Sequence, residues 1–388
     1  MKGKGSKSFY PITPVPFTNV TLTDNFWSGR IETNRTVTIP YGFEKCEKEG
    51  RIRNFERAGG LLEGKYEGKM PFDDSDIYKI IEGASYSLTV HPDSELEKYI
   101  DGIIEKIAAA QEEDGYLCTW KTIDPDTAPA WWVKPGPRWY TLGASHELYN
   151  AGHMYEAAVA HYRATGKKNF LNIALKNADL ITKTFGPGKK SEVPGHQIIE
   201  TGLVKLYQVT KYKKYLDMAK FFLDQRGNAR GHELYGAYSQ DHKPVTEQEE
   251  AVGHAVRAVY MYSGMTDIAG ITKDPSYMRA VDKLWENVVS KKLYITGGIG
   301  ARHEGESFGD NYELPNLTSY NETCAAIGNI YWNHRMFLLH GDAKYIDVLE
   351  RTLYNGMISG VSIEGNTFFY PNCLESDGKY KFNQGSST

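Results

Sequence analysis

Residues 151–170 read Ala151-Gly-His-Met-Tyr-Glu-Ala-Ala-Val-Ala-His-Tyr-Arg-Ala-Thr-Gly-Lys-Lys-Asn-Phe170. Small and apolar residues recur here with helical spacing, and the polar turn Thr165-Gly-Lys-Lys168 stops that helix. Phe170 then marks the opening of a second, amphipathic helix. The unit recurs along residues 76–358, where few stretches alternate as strands do. Its turns are His91-Pro-Asp-Ser before Tyr99, Thr210-Lys-Tyr-Lys before Tyr215, Thr272-Lys-Asp-Pro-Ser before Tyr277 and His340-Gly-Asp-Ala-Lys before Tyr345. Five helical hairpins follow from this pattern, preceded by an amphipathic segment over residues 31–48. In each, the first helix is apolar and the second keeps a charged face, as with Glu95, Glu97, Lys98 and Glu105.

Such alternation predicts an all-α chain folded as an (α/α)6 barrel, a toroid of hairpins with first helices inside and second helices outside. A solenoid of stacked hairpins is the structural alternative. Closure is favoured by the residues at the heads of the first helices: Asp76, His153, His196, His254 and the pair Glu322/Cys324. Each precedes the aromatic of its second helix by 17 to 23 residues. Three of the heads are Gly-His pairs, in which the glycine allows close approach of backbone to a ligand. A single histidine on an apolar helix is ordinarily a satisfied core residue. A ring of them at one level predicts one polar pocket at the centre of the toroid. After the fifth hairpin, Val361-Ser-Ile-Glu-Gly-Asn-Thr-Phe-Phe-Tyr370 reads as two short strands around a Glu364-Gly-Asn turn.

The bulk numbers exclude little but are consistent. The 388 residues exceed a small domain, and 40% hydrophobic with 24% charged residues is ordinary for a soluble globular protein. A net charge of −4 gives no electrostatic reason to expect nucleic acid or an anionic membrane as partner. The 27 tyrosines and 7 tryptophans suit stacking on sugar C–H faces and equally suit core packing. Cys46, Cys118, Cys324 and Cys373 are far apart and make no disulfide framework. No 18-residue apolar run and no signal peptide is visible, so a cytoplasmic location is expected. A periplasmic one is the alternative if residue 1 follows a removed signal. The Met1-Lys-Gly-Lys-Gly-Ser-Lys7 opening and the Gly385-Ser-Ser-Thr388 end read as flexible. Residues 1–20 are expected as an extension and 21–388 as the barrel domain.

Chemistry concentrates in the loop before the last first helix. Gly305-Glu306-Ser307-Phe308, Tyr312-Glu313-Leu314-Pro315-Asn316 and Asn321-Glu322-Thr323-Cys324 place carboxylates and a thiol within twenty residues. Glu and Cys at a helix start suit a thiophilic metal such as zinc, and Glu306 is spaced to reach the same pocket as a proton donor. The competing reading takes Ser319-x-x-Glu322 as a capping box and Cys324 as ordinary packing.

These motifs, with the three Gly-His heads, Glu350-Arg-Thr-Leu-Tyr-Asn-Gly356 and Phe368-Phe-Tyr370, together resemble glycoside hydrolase family 127. The resemblance runs from about residue 20 to the end. It implies an (α/α)6 barrel and retaining release of β-L-arabinofuranose, or a related rare sugar, from plant glycans. It implies Glu322 and Cys324 as ligands of one Zn2+ per chain and Glu306 as general acid/base. His196, His254, Glu350, Tyr370 and Phe72 are implied as sugar contacts. So is His153, with nearby His146 able to take its role. The family carries a Cys-Cys-Pro motif at a sixth inner helix, supplying the nucleophile and further zinc ligands; these are expected beyond residue 388. Cys373 lies in Asn372-Cys-Leu-Glu and is read as a structural thiol. Asn321 stands where relatives often have another cysteine.

Cleaving a glycosidic bond needs a proton for the leaving oxygen and a nucleophile for the anomeric carbon. A zinc-held thiolate supplies the second, since the metal keeps cysteine deprotonated, and a Glu306 carboxyl raised by burial among Phe308 and Tyr312 supplies the first. The two alternatives are another α/α-barrel sugar enzyme (an unsaturated uronyl hydrolase or an epimerase) and a truncated, non-catalytic sugar-binding barrel. The expected partner is an oligosaccharide or glycoconjugate, and a homodimer is admitted.

Overall fold

A computed structural model describes residues 9–381; the Met1–Lys7 opening and the Gly385–Thr388 end lie outside the described residues. These residues fall into two compact units. No helix among them is long and apolar enough to cross a membrane.

The first unit comprises residues 22–235 with 363–366. Its helices are α1 (Trp27–Thr33), α2 (Ile39–Lys48), α3 (Arg51–Ala58), α4 (Asp74–Val90) and α5 (Ser94–Ala110), then the short α6 (Thr119–Ile123) and α7 (Leu142–Ser145). They continue as α8 (Glu147–Thr165), α9 (Asn169–Thr184), α10 (Ile199–Thr210) and α11 (Lys213–Gln225). The predicted hairpins are α4–α5, α8–α9 and α10–α11. Helix α8 packs between α4 and α10 and is buried without a break from Glu147 to His161. A helix apolar or small on every side has no face to offer water. Helix α5 instead buries Ile100, Ile103, Ile104 and Ile107 while Glu95, Lys98 and Glu105 stay exposed. Local chemistry sets its start: Asp93 accepts from the backbone N–H groups of Glu95 and Leu96, both at 3.1 Å. Such a cap contributes about 1 kcal/mol.

The second unit comprises residues 236–362 with 9–21 and 367–381. It holds the hairpins α12 (Ala255–Thr272)–α13 (Pro275–Lys291) and α14 (Thr323–His340)–α15 (Ala343–Thr352), with α12 packed on α14. Asp274 and Asp342 cap α13 and α15 by accepting from Ser276 N–H (2.9 Å) and Lys344 N–H (3.1 Å). Proline opens α13, where its missing donor costs nothing. The left-handed Lys273 and Gly341 end the two first helices.

The expected strand pair near the C-terminal end is reduced to one antiparallel bridge, Val361 with Phe368. Ser362 N–H donates to Thr367 O and Phe369 N–H to Gly360 O, both at 2.9 Å. The chain then turns onto the start of α14: Thr323 N–H donates to Tyr370 O at 3.0 Å and its hydroxyl to Phe369 O at 2.7 Å. A second strand partner would have to come from the helix-start backbone, so the ladder does not extend.

Candidate active site

In the α12–α15 unit the Gly305-Glu306 loop meets the head of α12. Gly305 (φ 66°) and Glu306 (φ 50°) both adopt the left-handed region, which is uncommon for a glutamate and costly to hold. Glu306 is kept there by its own N–H to His303 O (3.1 Å). The flanking pairs are Ser307 N–H to Arg302 O (3.1 Å) and Phe308 N–H to Gly253 O (2.9 Å). The result aims the carboxylate at the imidazole of His254, with 2.9 Å from Nε2 to Oε2.

The protons on this pair follow from its neighbours. His254 caps α12, its Nδ1 accepting the Arg257 backbone N–H at 3.4 Å. A neutral ring with Nδ1 as acceptor carries its hydrogen on Nε2, so Nε2–H donates to Glu306. Burial lowers the His254 pKa, although the Glu306 carboxylate opposes it. For Glu306, burial pushes upward, but the hydrogen bonds from His254 and Tyr320 and the Arg257 charge prevail and the net shift is down. The expectation of a carboxyl raised by burial is therefore corrected: burial does push it up, but the donors His254 and Tyr320, with the Arg257 charge, bring the net shift down. Of the two expected neighbours, Phe308 is buried while Tyr312 is 70% exposed. The second donor is the Tyr320 hydroxyl, 2.8 Å from Oε1.

Arg257 is itself buried, its Nη1 on Ser239 Oγ (2.9 Å) and its guanidinium 4.6 Å over the Tyr238 ring. Arg257 and Tyr320 escaped the sequence reading. The three-residue offset of Arg257 from His254 on one helix was the available signal for the first; nothing local marks the second.

Glu322 is the buried N-cap residue of α14 and Cys324 is half-buried in its first turn. The capping-box reading fails, because Ser319 lies outside the helix with its hydroxyl on Asn316 O. One donor atom from each of His254, Glu306 and Glu322 lies within 4.8 Å of the others. Glu322 and Cys324 lie close enough to the Tyr370 phenol to raise its pKa, after burial itself, and the Tyr370 ring stands 6.2 Å from that of Tyr320. One imidazole and two carboxylates within reach of one another are donors that zinc takes, so these residues fit a metal ion. The expected pairing of Glu322 with Cys324 is met only in Glu322, since Cys324 is not in this group. The other three thiols are pushed up by burial, Cys46 to about 12, and Cys373 donates to Ser319 O at 3.1 Å as a structural thiol. Glu350 lies exposed on α15 and makes none of the described hydrogen bonds of this cluster.

The α1–α11 unit carries a second cluster. His146, left-handed at φ 56°, stands at the head of α8, the place expected for His153. His153 is seven residues further on, about 10 Å along the helix, with its ring 4.6 Å from Tyr149. Tyr149 also meets His196 (4.5 Å) and His146 (5.4 Å). Phe72 and Trp132 meet His146 at 5.0 and 5.6 Å. The Nδ1 atoms of His146 and His196 face the carbonyls of Ala144 (2.7 Å) and Gln197 (2.9 Å), which can only accept. Each Nδ1 therefore carries a hydrogen and donates it to that carbonyl. Asp76 is drawn off to Arg51, 3.2 Å away. The Gly-His glycines also receive a different reason. A Cβ on Gly195 would lie 2.1 Å from Gly143 O, and one on Gly253 2.1 Å from Ala237 O. They admit neighbouring backbone, not ligand.

Helical hairpins with buried first helices and amphipathic second ones define a protein of the α/α-barrel class. A sugar epimerase from a ruminal bacterium shares that fold, with a TM-score of 0.53, 15% identity and coverage of 90% of this chain and 93% of the epimerase. At that identity the likeness shows the fold alone. Residues 19–388 match the family model described as β-L-arabinofuranosidase, GH127 catalytic domain, and the chain belongs to that family. A solved GH127 β-arabinofuranosidase is 60% identical with a TM-score of 0.91, over 97% of this chain. A GH127 β-L-arabinofuranosidase from Geobacillus stearothermophilus T6 is 45% identical with a TM-score of 0.87, over 93%. The non-reducing end β-L-arabinofuranosidase of Bifidobacterium longum subsp. longum is 36% identical over 92% of this chain. The chain spans 59% of the length of each of these three relatives.

Proposed function

We propose that residues 21–388 act as the catalytic part of a retaining glycosidase that releases β-L-arabinofuranose, or a closely related sugar, from a glycan. One observation carries this reading: Glu306, held in a strained left-handed turn, has its carboxylate on His254 Nε2 and Tyr320 OH beside Glu322. The names of the family relatives support the sugar.

Glu306 gives its proton to the glycosidic oxygen as that oxygen leaves the anomeric carbon and a cysteine nucleophile of the family's Cys-Cys-Pro motif bonds to the carbon in its place. In the second half-reaction the carboxylate takes a proton from the water that releases the sugar. The ionised state favoured by His254 and Tyr320 is ready for that second step, and protonation of Glu306 gates the first. Glu322 and Cys324 would hold the zinc; the ion, when bound, keeps thiolates deprotonated at neutral pH. The family's nucleophile motif, Cys-Cys-Pro, does not occur in these 388 residues. The imidazoles of His146 and His196, with Phe72 and Tyr149, supply ring nitrogens and ring faces of the kind that bind sugar hydroxyls and C–H groups. His153, Glu350 and Tyr370 remain proposed sugar contacts.

The test is Glu306→Gln on two β-L-arabinofuranosides. Turnover is expected to fall at least 100-fold with an alkyl leaving group and far less with a nitrophenolate, which leaves without a proton. Equal losses on both remove Glu306 as the proton donor.

A further inference from the structure

The segment between α6 and α7 holds an aromatic whose placement folding does not explain. Trp131 is 96% exposed, although burial of an indole is among the largest apolar gains a fold can make. The segment around it is nonetheless tied down. Buried Lys121 donates from Nζ to Gly136 O at 2.7 Å. Backbone turns close Thr127 onto Asp124 (3.1 Å), Val133 onto Ala130 (3.1 Å) and Gly136 onto Pro125 (3.0 Å). Arg138 pairs with Glu112 and, at 2.6 Å, with Asp114, while buried Trp139 packs edge-on against Tyr116 (5.1 Å) and Phe185 (5.4 Å). A stem so anchored presents its tip in a fixed place.

Two features say what the tip meets. The next residue, Trp132, packs edge-on against His146, which belongs to the His146–Tyr149–His196 cluster. Between residues 127 and 137 the segment carries a single charge, Lys134, so it offers ring faces and little else. Neutral rings continuous with a histidine cluster are suited to the C–H face of a sugar.

We infer that Trp131 is a stacking platform for a second sugar unit of an oligosaccharide, next to the unit bound by the His146–His196 cluster. The inference rests on the glycosidase reading above. It makes Trp131 a determinant of chain-length preference and assigns it no part in bond cleavage.

Calorimetric titration of the full chain with a β-L-arabinofuranosyl disaccharide and with L-arabinose separates the two ideas. Trp131→Ala is expected to weaken the disaccharide about three- to tenfold, the range of one aromatic stacking contact, and monosaccharide affinity less than twofold. Trp131→Phe should retain most of the disaccharide affinity. Because the side chain is exposed, Tm should stay unchanged and the loss cannot be unfolding. Equal disaccharide affinity in all three proteins overturns the inference, as does an unaltered chain that does not prefer the disaccharide. A change of oligomeric state in Trp131→Ala without change in sugar affinity overturns it too, marking a protein interface. Disaccharide binding that depends on Trp131, beside equal losses from Glu306→Gln on the alkyl and nitrophenyl substrates, removes the proton donor of the glycosidase reading and leaves the sugar platform standing.

Discussion

Replacing Tyr320 by phenylalanine should move the pH dependence of catalysis upward. The Tyr320 hydroxyl donates at 2.8 Å to Oε1 of Glu306, and its ring is buried at 1% exposure, so Phe keeps the packing and removes one donor. A hydrogen bond to a charged group contributes about 1.5–3 kcal/mol. The Glu306 side chain is 32% exposed, and water will replace part of that bond. About 1 kcal/mol then remains, which is somewhat under one pKa unit at 1.36 kcal/mol per unit. Losing a donor destabilises the carboxylate, so the Glu306 pKa rises and the protonated acid survives to higher pH. The alkaline limb of kcat/KM, measured on an alkyl arabinofuranoside, should shift up by about 0.5–1 unit. His254 still donates, so the limb will not move by several units. An unmoved or lowered limb, with Tm unchanged, refutes the assignment of Glu306 as the proton donor held ionised by these two groups.

Gly195→Ala should cost about 1–3 kcal/mol, as overpacking does, because the new Cβ would lie 2.1 Å from Gly143 O. It should also weaken sugar binding by displacing His196, and a thermal melt with a titration reads both effects. Zinc added to the purified protein should protect Cys324 from alkylation, and Glu322→Gln should weaken that protection; equal labelling with and without zinc would argue against Cys324 as a ligand. Buried His153, His161 and His254 have pKa values lowered by desolvation. The unfolded chain therefore binds more protons, and stability present above the ordinary histidine pKa of about 6.5 is lost as pH falls below it. Tm should be flat above about pH 7 and decline in acid; His161→Asn should flatten the decline.

The hairpins were legible because a helix is a local object. Its apolar period, its Asp caps at 93, 274 and 342 and its left-handed ends at 166, 273 and 341 all act within a few residues. Five turns read from composition are the five turns of the structure. The Gly305–Cys324 stretch was legible as chemistry for a related reason. Glu306, Glu322 and Cys324 are residue types a loop and helix start do not need for packing.

Spacing along the chain could not say which histidine faces which carboxylate. His254 reaches Glu306 across 52 residues, and His146 meets His196 across 50, through loop closures with no local period. The even-height reading of the helix heads put His153 where His146 stands, because α8 begins seven residues earlier than the Gly-His pair suggests. It gave Glu306 a raised pKa, because burial is the part of the environment a sequence hints at. The donors His254 and Tyr320, which reverse the sign, arrive only through packing. Sequence alone determined the α/α hairpins, the family and the reacting residue types, all encoded in local pattern and motif. Tertiary structure alone decided which tautomer each imidazole takes, which carboxylate it holds and where Trp131 points outward, since each depends on atoms brought together from distant parts of the chain.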